Sequence, residues 1–184
     1  MKLDRDLKDL KDLKVLFDED TLQKRIKELA KEIENKHPNK DEDLHVICVL
    51  KGSALFCCDL IKKLNLPIVL HFIRISSYGN DFQSSGKINT IDLTLPDLKD
   101  KNVLIVEDIL DTGHTAKFVT DLLNLKYCPK TLKFATLLNK RCARQNDIEA
   151  DFIGFEIDDK FVVGYGLDYK EYLRNIPYIG YFEA

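Results

Sequence analysis

Val103-Leu104-Ile105-Val106-Glu107-Asp108-Ile109-Leu110-Asp111-Thr112-Gly113-His114-Thr115 is the stretch that decides how this chain is read. Four consecutive apolar residues suit a strand buried on both faces of a parallel sheet. They deliver Glu107 and Asp108 to the strand's carboxyl edge, where open α/β sheets bind ligands. Two adjacent acids suit the hydroxyls of a ribose or hydrated Mg²⁺. Asp111, Thr112, Gly113 and Thr115 stand directly before a helix expected over about Thr115 to Leu125. A helix N-terminus offers free amides to an anion, and Gly113 lets the backbone approach a phosphate with no Cβ in the way. One segment thus combines a diol grip, a candidate base and an anion site.

An acid pair alone would be an ordinary sheet edge ahead of an acid-capped helix, but the whole string is more specific. Rival motifs fail by spacing. No G-x-x-x-x-G-K-[ST] precedes the acids, and no G-x-G-x-x-G follows the first strand. A phosphatase of the haloacid dehalogenase type wants its acids two residues apart, whereas Asp108 and Asp111 are three apart.

Working outward, Leu44 to Leu50 is another nearly continuous apolar run, broken by Lys51-Gly52 and followed by a helix over Ser53 to Leu64. Pro67 to Ile75, Thr131 to Leu138, Ala150 to Phe155 and Phe161 to Val163 read as strands, with a weaker one over Ile88 to Leu93. Leu22, Ile26, Leu29, Ala30 and Ile33 line one face of a helix that Asp20 can cap, with Gln23 reaching back. The leucines between residues 3 and 16 suggest a short amphipathic turn or helix. Ser76 to Lys87 is polar, glycine-containing and aperiodic, and reads as a long exposed loop of the kind that is uncommon unless functional. Alternating strands and helices argue an α/β fold: an open, mainly parallel sheet with helices on both faces.

The chain has 184 residues, 45% hydrophobic and 32% charged, with net charge −3. That is one ordinary globular domain, 1–184. Nucleic-acid binding would need a basic stripe, and the cluster Lys140-Arg141 with Arg144 is too small. There is neither a membrane-spanning run of about 18 apolar residues nor the apolar stretch of a signal peptide. Cys48, Cys57, Cys58, Cys128 and Cys142 form no C-x-x-C pair, and most sit in apolar runs. Buried, reduced thiols in a cytoplasmic protein are expected.

The string at 103–115 resembles the phosphoribosyl pyrophosphate motif of type I phosphoribosyltransferases. From about His45 to Arg174 the chain looks like the hypoxanthine-guanine, or 6-oxopurine, branch. The resemblance implies the type I phosphoribosyltransferase fold, with a small hood from about 1–20 and 170–184. It implies transfer of a 5-phosphoribosyl group to N9 of hypoxanthine or guanine in purine salvage, with Mg²⁺, and a homodimer or homotetramer. It further implies that Glu107, Asp108, Ile109, Leu110, Asp111, Thr112, Gly113, His114 and Thr115 surround the ribose phosphate, with Asp111 as general base for N7 and no catalytic role for His114. Lys51 and Gly52 would form the pyrophosphate loop, where the peptide before the lysine is often cis in relatives. Ser76-Ser77-Tyr78-Gly79 would open the mobile catalytic loop, with Ser77 and Tyr78 at the substrate. Lys140 would meet the 6-oxo group, Phe161 would stack on the purine and the Val162 backbone would meet its 2-position. Arg174 would touch pyrophosphate, and Asp168 would join Glu107 and Asp108 at the metal. Two other readings compete. An RNA-binding regulator on the same fold would need a basic face, which the net charge disfavours. An enzyme for adenine or a pyrimidine is disfavoured by Lys140 and Phe161.

Overall fold

The first long apolar run, Leu44–Leu50, forms β2 at the centre of a six-stranded sheet. The computed structural model describes residues 12–77, 88–92 and 94–183. In chain order the other elements are β1 (Leu13–Phe17), α1 (Glu19–Lys36), α2 (Ala54–Ile61), β3 (Ile68–Ser77), β4 (Ile88–Asp92), β5 (Asn102–Leu110), α3 (His114–Tyr127), β6 (Thr131–Asn139), β7 (Phe152–Glu156), β8 (Val162–Val163) and β9 (Ile179–Phe182). The sheet order is β4-β3-β2-β5-β6-β7, with β4 antiparallel at one edge and every other pairing parallel.

Side chains alternate across a strand, and here both sets are apolar. Val46, Cys48, Leu104 and Val106 face α1 and α2 in one core. Ile47, Val49, Val103 and Ile105 face α3 in the other. The crossover after β2 therefore runs over one face and that after β5 over the other. The two strands are hydrogen-bonded neighbours, Cys48 opposite Val106, so their departing loops diverge and leave a crevice at their carboxyl ends. Ligands bind open α/β sheets at such a switch point.

A second, three-stranded antiparallel sheet, β1-β9-β8, joins the two ends of the described chain. Here the expectation for the N-terminal segment is corrected. Leu13–Phe17 is a strand, not a helical turn, because β9 offers it a hydrogen-bonding edge with Leu13 opposite Phe182. The cap of α1 moves accordingly. Asp18, not Asp20, is the N-cap, accepting from the Thr21 amide at 2.8 Å. Gln23 does not reach back but donates to Asp59 Oδ2 at 2.8 Å. The apolar face of α1 is as expected, with Leu22, Ile26, Leu29, Ala30 and Ile33 all buried.

Two further expectations change. Ser76 and Ser77 belong to β3 rather than to the loop, because β4 pairs with them. Of the cysteines, Cys48 and Cys57 are buried while Cys58, Cys128 and Cys142 are exposed. Cys58 sits in an apolar run, but a helix turns adjacent residues to different sides. Among the described residues no helix is long and apolar enough to cross a membrane.

Substituting Asp18 by Ala should cost about 1 kcal/mol, the usual loss for an N-cap. Asp20→Ala should cost only a few tenths, as an exposed first-turn acid does. Urea denaturation of both variants checks this, and equal losses would return the cap to Asp20.

Candidate active site

Three chain segments meet at the backbone of Gly52. The first is the turn after β2, which contains a cis peptide between Leu50 and Lys51. The second is β5, whose Asp108 carboxylate lies so close that a Cβ on Gly52 would stand 1.8 Å from Asp108 Oδ2. The third is the turn after β8, where Gly166 adopts φ +100 and a Cβ would stand 2.0 Å from the Gly52 carbonyl oxygen. Only glycine permits both approaches.

β5 runs past the acids to Leu110, with Glu107 paired to Thr136 and Leu110 to Asn139. Alternation then sends Glu107 and Asp108 to opposite faces. Burial, with the charges of Asp108 and Asp111 adding to it, holds the Glu107 carboxyl well above the usual carboxylate range. Burial likewise pushes Asp108 up to about 6.

The next turn is shaped from behind. Gly113, at φ +82, caps α3 in the left-handed region. A side chain there would run into Ile148 and Asn146. The Leu110 carbonyl accepts from the Lys140 amide at 2.9 Å, and that of Thr112 from the Gln145 amide at 3.0 Å and Asn146 Nδ2 at 3.1 Å. These carbonyls point toward residues 140–146, which leaves the amides entering α3 for an anion. Exposed Asp111 accepts from the Thr112 amide at 2.5 Å, and His114 pairs with Gln145 Oε1 at 3.0 Å.

Beyond β5, Lys140 directly follows β6. Its ammonium pairs with Asp159 Oδ1 at 2.6 Å and donates to the Lys160 carbonyl at 3.3 Å. That brings it to the residue before Phe161, which is half exposed and meets Tyr169 edge to face at 6.0 Å. Val162 is buried and paired with Tyr181. Arg174 Nη2 lies 2.6 Å from Asp168 Oδ1, and Lys51 Nζ lies 2.6 Å from Glu171 Oε2. Strand ends and turns far apart in the chain thus carry acids, an anion cradle, cations and an exposed aromatic ring at the carboxyl edge of the sheet. Tyr78, Gly79, Gly86 and the rest of the loop to Lys87 lie outside the described residues, as does the Ser77 side chain.

Comparison with known proteins accounts for this arrangement. Residues 13–170 match the family model of the phosphoribosyl transferase domain. The hypoxanthine-guanine phosphoribosyltransferase of Aquifex aeolicus is 45% identical over 167 residues, 91% of this chain and 93% of that protein. Its counterpart in Bacillus subtilis is 43% identical, covering 91% of each. The chain belongs to the hypoxanthine-guanine phosphoribosyltransferase family. Solved structures agree. That of a Staphylococcus aureus hypoxanthine phosphoribosyltransferase has a TM-score of 0.87 at 41% identity, covering 94% of this chain and 93% of that one. A Bacillus anthracis hypoxanthine-guanine phosphoribosyltransferase has a TM-score of 0.86 at 41% identity, covering 92% and 98%.

Within this phosphoribosyltransferase the sequence reading passed over Arg144, noted only as part of a small basic cluster. Its Nε donates to the Asp111 carbonyl at 2.9 Å, and its Nη2 to the Leu110 carbonyl at 3.1 Å and to Asn139 Oδ1 at 2.6 Å. Nη1 donates to the Ile148 carbonyl at 2.5 Å. Asn139, fully buried, is fixed in turn by Glu156 at 3.0 Å. Arg144 is therefore the clamp behind the anion loop. No local pattern could have revealed this role, because the loop carbonyls it grips lie 33 and 34 residues earlier in the chain.

Among the described residues, no group of three or more His, Cys, Asp or Glu gathers to hold a metal. Asp108 and Asp168 still fit Mg²⁺ in donor chemistry, whereas Glu107, expected beside them, is buried and turned to the opposite face of the sheet. That ion takes oxygen ligands, keeps several waters and is commonly bound by one or two carboxylates together with substrate phosphates.

Arg144→Met strips partners from the carbonyls behind the loop. It should lower stability by about 1–3 kcal/mol, with Arg144→Lys recovering part of the loss. Urea midpoints at unchanged slope test this, and an unaltered midpoint would remove the clamp.

Asp108 makes a separate prediction about pH. Its folded value of about 6 exceeds the ordinary 3.8, so the folded chain keeps this proton to higher pH than the unfolded chain does. The stabilisation is complete below about pH 4 and is lost as pH rises toward about 6. Asp108→Asn removes this dependence. The stability of wild type relative to Asp108→Asn should therefore fall by at most about 3 kcal/mol across that window. Urea titrations at several pH values read the difference, and a flat or rising difference would contradict the burial argument.

Proposed function

We propose that the chain transfers the 5-phosphoribosyl group from phosphoribosyl pyrophosphate to N9 of hypoxanthine or guanine, giving IMP or GMP and pyrophosphate. The observation that carries this reading is the crevice between β2 and β5. Its anion loop has every carbonyl from Leu110 to Thr112 turned away, and beyond β5 Lys140 reaches the residue before Phe161.

The bond from ribose C1′ to the pyrophosphate oxygen breaks, and the bond from C1′ to N9 forms. The amides at the start of α3, with Thr112 and Thr115, hold the 5′-phosphate, while Ile109, Leu110 and Gly113 shape the loop. Asp111 accepts the proton that the base releases from N7, a role worth about 10²–10⁴-fold. Lys51 and Arg174 face the charge that develops on pyrophosphate, where preorganised cations stabilise the transition state. Bound Mg²⁺ would supply further neutralisation of that diphosphate charge, with Asp108 and Asp168 as the carboxylates to hold it. Phe161 stacks on the purine, Val162 meets its 2-position through the backbone, and Ser77, at the end of β3, contacts the substrate together with Tyr78. Assembly as a homodimer or homotetramer in the cytoplasm belongs to the same reading.

Lys140 selects the base. An ammonium has donors and no acceptor, so it satisfies a 6-oxo group and opposes the 6-amino group of adenine. A buried mismatch of this kind costs about 1–3 kcal/mol, or roughly 5- to 150-fold in kcat/KM. A spectrophotometric assay with phosphoribosyl pyrophosphate, Mg²⁺ and each purine base should show turnover of hypoxanthine and guanine that chelation abolishes. Lys140→Gln should narrow the gap to adenine. Wild type that used adenine as well as hypoxanthine would end the oxopurine assignment.

A further inference from the structure

Both cations read above as diphosphate ligands are already engaged by one carboxylate. Glu171 Oε2 lies 2.6 Å from Lys51 Nζ, and Glu171 Oε1 lies 3.2 Å from Arg174 Nη2. Each oxygen takes one cation, as two oxygens of a phosphoryl group would. The turn that carries Glu171 is built for this. Lys170, Glu171 and Leu173 all have left-handed backbone, with φ of 51, 70 and 73, a conformation rare for residues other than glycine. Such conformations persist where surrounding structure imposes them, and they cluster at functional sites. Here the Gly166 amide donates to the Arg174 carbonyl at 2.9 Å, and Tyr169 and Tyr172 exchange backbone bonds at 3.1 and 3.0 Å. The Glu171 amide donates to Asp168 Oδ2 at 2.7 Å, and Arg174 Nη1 donates to the Gly166 carbonyl at 2.8 Å. Arg174 therefore stays anchored through Asp168 and Gly166 whether or not Glu171 holds it. Glu171, with 63% of its side chain exposed, can swing away into water.

We infer that Glu171 is a built-in competitor for the diphosphate subsite: its carboxylate occupies the space between Lys51 and Arg174 and must leave when phosphoribosyl pyrophosphate or pyrophosphate binds. This rests on the reading of Lys51 and Arg174 as diphosphate ligands. Glu171 keeps the two cations together in the free enzyme and weakens the hold on both the diphosphate substrate and the diphosphate product. Exposed ion pairs are individually weak, so displacement needs no large driving force and the effect on affinity is roughly 2- to 10-fold.

The test compares wild type, Glu171→Gln, Glu171→Ala and Lys51→Ala. It measures the inhibition constant of inorganic pyrophosphate and the KM values for phosphoribosyl pyrophosphate and hypoxanthine. Both Glu171 variants should bind pyrophosphate and phosphoribosyl pyrophosphate more tightly, by roughly 2- to 10-fold, with the hypoxanthine KM unmoved. A residue that merely stiffened the turn would weaken diphosphate binding when replaced. If Lys51→Ala weakens pyrophosphate binding but neither Glu171 variant tightens it, the competitor is overturned and the subsite stands. If Lys51→Ala leaves pyrophosphate binding unchanged, the subsite itself is misplaced and the inference falls with it.

Discussion

The contact of three chain segments at Gly52 is the constraint on which the rest of the site depends. The Asp108 carboxylate stands where a side chain on Gly52 would have to go, and the Gly52 carbonyl stands where one on Gly166 would have to go. Close packing of backbone on backbone brings the turn after β2, the end of β5 and the turn after β8 within reach of one small ligand. Lys51 comes in on the first, the anion loop continues from the second, and Asp168 and Arg174 are carried by the third. An added atom at Gly52 would have to displace the Asp108 carboxylate, and one at Gly166 would have to push its turn off the Gly52 backbone, a shift that separates groups that must act on one molecule.

Around that contact the fold places groups in conditions they would avoid alone. Glu107 and Asp108 are forced toward their neutral forms by burial, and the Arg144 guanidinium opposes this at Glu107 as the Arg174 guanidinium does at Asp108. The carbonyls of the anion loop are satisfied by Arg144, Gln145 and Asn146. The buried polar atoms on the far side of the loop are paired, so its near side can stay open to a ligand without an unsatisfied backbone. A diphosphate would bring charge into a crevice that already holds opposed acids and bases in balance. Glu171 between Lys51 and Arg174 is the visible form of that balance.

Much of this was legible in the sequence because it depends on local pattern. The apolar runs at 44–50 and 103–106 read as buried parallel strands, and they are. Leu22, Ile26, Leu29, Ala30 and Ile33 read as one helix face and are buried together. Misplaced expectations failed for lack of a distant partner. Residues 13–17 became a strand because β9, at the far end of the chain, supplies an edge for them. The helix cap then shifted from Asp20 to Asp18. Glu107 and Asp108 read as one grip, but continuation of β5 to Leu110 turns them to opposite faces.

By itself the sequence determined an α/β chain with a parallel sheet and an acid-bearing strand that runs into a phosphate-cradling helix start. Strand burial, helix faces and turn glycines are set by neighbours a few residues away, so spacing alone reveals them. Only the tertiary structure decided that Arg144 grips carbonyls 33 and 34 residues behind it, that Gly52 is pinned by Asp108 and Gly166, and that Glu171 sits on Lys51, 120 residues away. Hydrogen bonds and ion pairs form wherever the folded backbone brings donor and acceptor together, and no periodicity in the chain encodes that meeting.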